Sequence, residues 1–518
     1  MKKRLIILLL SVVLFLIILQ SSVVINGRSK SQISGDNDIR TVKSSSSDCG
    51  IAICDYNGSQ WNPKICSSGA GNAIIIWCDH RSGSDTDLYA QKIDLDGNAD
   101  WQTNGIMIFN STKENLNLET CSDGMGGVIM TWNQVVLVTE SAIYAQRIDS
   151  NGNIVWNPSG ALILFSDTFN LFTPHLCSDE TGGAIVTWFN EDNNSIQAQR
   201  IDMNGDLLWG SSGITVRSIN ASEPMICSDG FGGAIISWED SRHYNMNYQD
   251  IYAQRIDSNG NLMWDTNGVA ICTTTDSQAY PKICSDNAGG AIITWEDSRN
   301  GLYAQRVDSD GNCLWDNNGS CISEFNGWDI SIQPDGQNGA VFGFDTYVDI
   351  TPTIGAQRID SNGNRLWGIN GTTLYSGEYG ENNCEYPQIC SNQGGAIITW
   401  QIYNYNTHTI DIYVQKVTSG GNILWQSNGV PICIYASDLR DPFPQICNDG
   451  FGGAYITWRH DINLASDIRA QHITSDGHFP WTEPSIPFGN VHFLWIIISV
   501  LSLILFIKRK RVKYFNPK

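Results

Sequence analysis

The sequence predicts an all-β fold: an eight-bladed β-propeller closed by an N-terminal strand, flanked by a signal segment and a C-terminal transmembrane helix. Three observations predict it. A GGAIITW-type segment recurs eight times, ending at Trp77, Trp132, Trp188, Trp238, Trp295, Phe344, Trp400 and Trp458. A second segment, seen as DIYAQRIDSNGNLMW at 250–264, also recurs eight times, ending at Trp101, Trp156, Trp209, Trp264, Trp315, Trp367, Trp425 and Trp481. The ends of this series lie 380 residues apart over seven intervals, so the period is about 54 residues, in the range of repeat arrays. The third observation is phase. Residues 50–67, GIAICDYNGSQWNPKICS, align with 268–285, GVAICTTTDSQAYPKICS, so the chain enters the array on the last strand of a unit. It leaves after Trp481, where that strand is next due, and complementary half-units let the first strand complete the last blade and remove a free edge.

Within one unit, PKICSD (281–286), GGAIITWED (289–297), LYAQRVDS (302–309) and the segment from Leu314 onward each read as a short strand bounded by Gly, Asn and Asp. Four such strands make a propeller blade. With 49 glycines and 18 tryptophans the composition suits tight turns between aromatic-rich strands. The charge argues in the same direction for function. Against 53 Asp and Glu stand only 31 Lys and Arg, a net charge of -22, which excludes a nucleic-acid binder.

The termini carry different signals. Lys2, Lys3 and Arg4 precede an apolar run at 5–19, the pattern of a secretory signal. An apolar stretch at 491–507 is followed by Lys508, Arg509, Lys510, Arg511 and Lys513, the pattern of a stop-transfer span under the positive-inside rule. The chain thus divides into a signal peptide or signal anchor (1–25), a Ser-rich linker (26–48), the propeller (49–481), a short linker (482–490), a transmembrane helix (491–507) and a basic cytoplasmic tail (508–518). The expected location is the cell membrane, single-pass, with the propeller outside the cytoplasm.

These GGAI-x-x-W … YAQRID … G … W repeats resemble those of prokaryotic cell-surface β-propeller proteins. The resemblance covers residues 50–481 and implies a secreted or anchored binding scaffold. The units are also faintly similar to kelch repeats and to sialidase Asp-boxes, but the Gly pair opens a strand here, and in DSNGNLMW the Trp falls four residues after the Gly, one more than the Asp-box spacing.

A residue present in every blade most simply serves the blade. Gln91, Gln146, Gln199, Gln254, Gln305, Gln357, Gln415 and Gln471 are expected to bridge buried backbone groups. The D-x-[DN]-G turns, among them Asp94/Asp96, Asp257/Asn259 and Asp308/Asp310, place oxygen atoms at alternate positions as calcium loops do. Asn-Gly is nonetheless the preferred hairpin turn, so calcium, the one cofactor raised, is the minority reading. Cys66, Cys121, Cys177, Cys227, Cys284, Cys390 and Cys447 share one strand position and are expected to be buried small hydrophobes rather than a soft-metal ring. Cys313 with Cys321, or Cys384 with Cys390, are the favoured disulfides. Asp79/Arg81, Asp240/Arg242 and Asp297/Arg299 form D-x-R sets, with Asp87 or Asp250 the expected partners of the arginines.

Function is expected where repetition breaks. The loops from second to third strand, and from one blade to the next, open on one face and vary in length. There Tyr244, Asn245, Asn247, Tyr248, Tyr403, Asn404, Tyr405, Asn406 and His408 offer flat rings and amides to an extracellular glycan or protein partner. Blade six, with Trp328, Asp329 and Asp335, breaks its repeat most strongly. The first functional expectation is a membrane-anchored binding or adhesion module using this loop face. The alternatives are an extracellular polysaccharide hydrolase or lyase, which needs a carboxylate pair or a Tyr or His base near the channel mouth, and a purely structural envelope protein. No HExxH, nucleophile elbow or zinc spacing is present, so no catalytic residue is assigned.

Overall fold

The computed structural model describes residues 49–481, other than 84, 138–139, 167–172, 192–193, 244–248, 300, 393, 438–440 and 463–464. The signal, linker and transmembrane assignments lie outside these residues. The described chain forms eight four-stranded antiparallel sheets. Seven are built from consecutive strands, blades one to seven, at 60–109, 114–166, 175–217, 221–272, 278–323, 327–376 and 382–437. The eighth combines the three strands between Gln445 and Ile473 with Ile51–Cys54, whose Ile51 pairs with Ala470 and whose Cys54 pairs with Ile468. The ring is closed by the strand that the phase of the repeats indicated.

The core lies between blades. Trp77, Trp132, Trp188, Trp238, Trp295, Trp400 and Trp458 are fully buried, and Phe344 takes the same place in blade six. Each such ring removes roughly 150–250 Å² from water, which makes the interblade seams the main source of hydrophobic stabilisation. The repeated glutamines behave as expected. The Gln254 amide donates to the Asp265 carbonyl at 2.7 Å, while its oxygen accepts from the Arg255 and Trp264 backbone N–H groups. The Gly pair is explained by space, since a Cβ on Gly290 would lie 2.1 Å from the Val307 carbonyl oxygen.

A second repeated linkage joins each blade to the next. Arg200 is held by Asp179 of its own blade at 2.8 Å and donates through Nη1 to the Ser258 carbonyl of the following blade, which also accepts from Trp209 Nε1. Arg147, Arg255, Arg306 and Arg358 repeat this arrangement with Asp123, Asp229, Asp286 and Asp335, reaching the carbonyls of Met203, Ser309, Ser361 and Ser419. Lys92 and Lys416 make the equivalent reach to Ser150 and Ser475, and at the last junction Trp481 donates to the Leu95 carbonyl. Each accepting carbonyl is on the second residue of the turn after the third strand, led by Asp in six blades and by Thr418 and Thr474 in the other two. Asp335, singled out in blade six, therefore belongs to this structural series.

The six aspartate-led turns are shaped by that aspartate. Asp257 Oδ1 accepts from the Asn259 and Asn261 backbone amides, and Oδ2 accepts from the Asn261 side chain. Asp94 and Asp308 use their oxygens in the same way. The Asp96 and Asp310 backbones donate to the leading residue, and Gly311 holds a φ of +88°, which an L side chain resists.

Two expectations are corrected. The disulfide joins Cys49 to Cys433, 384 residues apart, and Cys313, Cys321, Cys384 and Cys390 are free thiols. Cys384 and Cys390 lie on one strand, Asn382–Asn392, where six residues of extended chain separate them by roughly 20 Å. Cys321 has Tyr303 opposite it and Cys313 faces Val307, so those two thiols sit on different rungs. The D-x-R arginines also choose a different partner. Arg81, Arg242 and Arg299 fold back onto Asp79, Asp240 and Asp297 at 2.6 Å, and stack at 3.7, 3.6 and 3.8 Å over Tyr89, Tyr252 and Tyr303. The Trp77, Trp238 and Trp295 indoles donate to the same three aspartates, so each carboxylate is held by an indole as well as by its arginine. Asp87 instead accepts from the Ser111 backbone N–H, and Asp250 meets His243.

Replacing Cys49 and Cys433 by serine is expected to lower stability by about 3 kcal/mol. Thermal unfolding measures it, and wild type in a dithiol reductant should show the same loss. Arg358→Met, which strands Asp335 without its cation, should cost about 3 kcal/mol in the same assay.

Candidate functional site at the channel mouth

The first strand of every blade lines the central channel. Near its loop-face end this strand carries a bulge in at least six blades, seen as register breaks between Trp61 and Lys64, Leu116 and Glu119, Ser222 and Met225, Ala279 and Lys282, Trp328 and Ser331, and Glu385 and Gln388. At each break one residue takes a left-handed φ: Asn62 (52°), Asn117 (51°), Glu223 (49°), Tyr280 (52°), Asp329 (45°) and Tyr386 (54°), with Phe443 (45°) at the corresponding place in blade eight. Tyr and Phe rarely adopt this region, and such strain, on the order of 1 kcal/mol each, gathers at functional sites.

From blade four to blade seven this ring is backed by acids. Glu239, Glu296 and Asp345 each follow the buried aromatic residue of the second strand, where other blades carry Cys78, Asn133, Phe189, Gln401 and Arg459. Glu239 and Glu296 hold the bulges of the next blade, and Asp329 does so for blade seven. Glu239 Oε1 accepts from the Tyr280 backbone N–H at 2.7 Å, Glu296 accepts from the Asp329 backbone, and Asp329 accepts from the Tyr386 backbone. Glu385 adds a fifth carboxyl beside Asn383.

Burial first, and then mutual repulsion, keeps these groups from ionising normally. Asp345 is 8% exposed, has one oxygen without a hydrogen-bond partner among the described residues, and lies near Asp329; its carboxyl is pushed up to about 8. Glu296, half-buried and also facing Asp329, is pushed up to about 7, against the opposing pull of the Lys282 ammonium. Glu239 and Glu385 are raised by burial, and Asp329 is raised by the protein crowded against its inner side although it reaches solvent at the rim. Among the described residues the carboxylates do not bring three ligand atoms together; the one such group is Cys49, Cys433 and His460, whose two sulfurs are bonded to each other.

Aromatic rings surround the acids. Trp328 is 42% exposed and packs edge-on to Tyr347, and Tyr386 packs edge-on to Phe443 of blade eight. A pocket of about 220 Å³ opens between blades five and six, lined by Ala279, Glu296, Asp297, Asn326 and Trp328. The blade-seven hairpin lies alongside. Its Tyr403 is opposite Asn383 in the sheet, bonds His408 Nδ1 through its hydroxyl at 3.1 Å and packs edge-on to Tyr405. Asn404 Oδ1 accepts from the backbones of Asn406 and Thr407, so it shapes the turn. Tyr244, Asn245, Asn247 and Tyr248 lie outside the described residues. The seven repeated cysteines are free thiols, five of them buried, and burial pushes Cys66 and Cys390 up to about 12, which keeps them protonated.

Glu239, Glu296, Asp345 and Glu385 were not anticipated from the sequence. The available signal was the residue after the GGAIITW aromatic, acidic in blades four, five and six alone.

No family of known proteins matches this sequence, and no curated protein does. Solved structures are similar at low identity. An ulvan lyase of a polysaccharide lyase family shares 10% identity over 83% of this chain and 96% of its own, with a TM-score of 0.44. The propeller domain of the trilobed protease from Pyrococcus furiosus shares 9% over 73% and 99%, at 0.42. A Hadza microbial sialidase shares 8% over 81% and 68%, at 0.33. At this distance the likeness carries nothing about chemistry.

The folded state retains protons on Asp345 and Glu296 that the unfolded chain releases near its ordinary carboxyl range. The stability they contribute is complete below about pH 4 and declines as pH rises through about 7 and then 8. Asp345→Asn should flatten that alkaline decline, measured as melting temperature between about pH 5 and about pH 9.

Proposed function

We propose that this protein is an outward-facing, membrane-anchored propeller that cleaves a polysaccharide at the loop-face mouth of its channel. The observation that carries this reading is the set of carboxyl groups from four consecutive blades, gathered against exposed aromatic rings and differing in their readiness to ionise. Separated protonation is what acid–base cleavage of a glycosidic bond uses. Glu296 lines the pocket beside Trp328 and holds a proton near neutral pH, which suits it to protonate the bridging oxygen as the C–O bond breaks. Asp329, more exposed, suits the carboxylate that takes a proton from the attacking water. Asp345 stays largely protonated behind it. Trp328 offers a flat face to a sugar ring.

The extracellular setting is supported by the signal-like N-terminus and by the Cys49–Cys433 bond, which belongs in an oxidising compartment. The glycan-binding face read from the sequence fits the same region, with Tyr403, Tyr405 and His408 beside the blade-six and blade-seven acids. Binding alone makes no use of the separated ionisation of these carboxyls.

Purified full-length protein should release reducing ends from one member of a panel of neutral and acidic polysaccharides, with calcium or with a chelator. Glu296→Gln and Asp329→Asn should each lower kcat about 100-fold or more, while Trp328→Ala raises KM. Saturable binding without product in every arm would instead establish the adhesion reading.

A further inference from the structure

Below the acidic rim, each inner strand contributes one side chain at the same level of the channel. Lys64, Glu119, His175 and Lys282 stand opposite Ile76, Thr131, Thr187 and Thr294 in their own sheets, which fixes them at equivalent positions. Together they line a cavity of about 360 Å³ to which all eight blades contribute. Lys64 gives its charge to Glu119 at 2.8 Å. Lys282 forms no ion pair among the described residues, and the remaining wall is neutral: Met225, Ser331 and glutamines. The cavity is therefore lined by two ammonium groups and one carboxylate.

We propose that this level of the channel is a binding site for a small monovalent anion, a halide or a carboxylate, held between Lys64, His175 and Lys282. The inference is separate from the cleavage reading. One net positive charge on this half-covered lining attracts one counter-ion, because charges between protein walls are screened less than in bulk water. Glu119 remains ionised beside Lys64, so it does not neutralise Lys282 as well. Burial pushes His175 down to about 4, so at neutral pH it adds an N–H donor and no further charge. The acids nearest Lys282 from above, Glu296 and Asp329, belong to the rim and are not part of this cavity's lining. A single anion completes the balance, whereas a divalent one overshoots it.

Chloride line broadening in NMR, titrated into the full-length protein without any glycan, tests this. Wild type should show saturable broadening that acetate displaces. Lys282→Met should weaken chloride binding by about tenfold, the effect of losing one charge-assisted contact, and Glu119→Gln should strengthen it. Equal titration curves for wild type and Lys282→Met would overturn the proposal. Should Lys282→Met fail to fold, crystals of wild type soaked in bromide decide: an anomalous peak among Lys64, His175 and Lys282 supports the site, and a channel without one removes it.

Discussion

The structure depends on one main-chain carbonyl per blade. In five junctions that oxygen, on the second residue of the third-to-fourth-strand turn, accepts both an arginine Nη1 and a tryptophan Nε1 from the preceding blade. The arginine is fixed from its other side by a buried aspartate, and the turn is fixed by its own leading aspartate, or by Thr418 where Ser419 is the acceptor. Hydrophobic burial between blades is non-directional, whereas this shared acceptor sets where one blade sits on the next. Substituting lysine, as at Lys92 and Lys416, preserves the reach but gives up the planar fork.

A uniform ring of this kind has no site. The site arises where an otherwise repeated position changes chemistry, at the residue after the buried aromatic in blades four to six. Glu239 and Glu296 satisfy the strained bulges of the neighbouring blade and Asp345 is buried within its own, so all three are integral to the wall. Being held there is what leaves them poorly solvated and close to one another. Support of the bulges and altered ionisation thus come from the same placement.

The repeat count, strand order and closing strand were legible because each leaves a periodic trace, and the glutamines and paired tryptophans were legible for the same reason. The acids were not, because Glu239 and Glu296 sit inside the WED segments, where the following aspartate and arginine drew the chemical reading. The disulfide was hidden differently. Cys433 stands at a repeated position, but Cys49 has no counterpart in the other units, and only ring closure makes the two neighbours. The arginine partners were misjudged because cross-strand opposition was weighed above a two-residue return onto an aspartate already held by an indole. The aromatic loop residues of blade seven drew the reading of the sequence because they interrupt the pattern; the acids beneath them are a substitution within it.

The closing strand also imposes an order on synthesis. Ile51–Cys54 is among the first parts of the propeller to emerge, yet its partners at 468–470 come more than four hundred residues later. Throughout that interval an apolar strand waits with its hydrogen-bonding groups unanswered, beside blades that are already complete. A cell that makes this protein must keep that early segment from pairing with a neighbouring chain, whose own unfinished ring offers the same vacancy. Assembly across two chains is thus the error to which this architecture is most exposed.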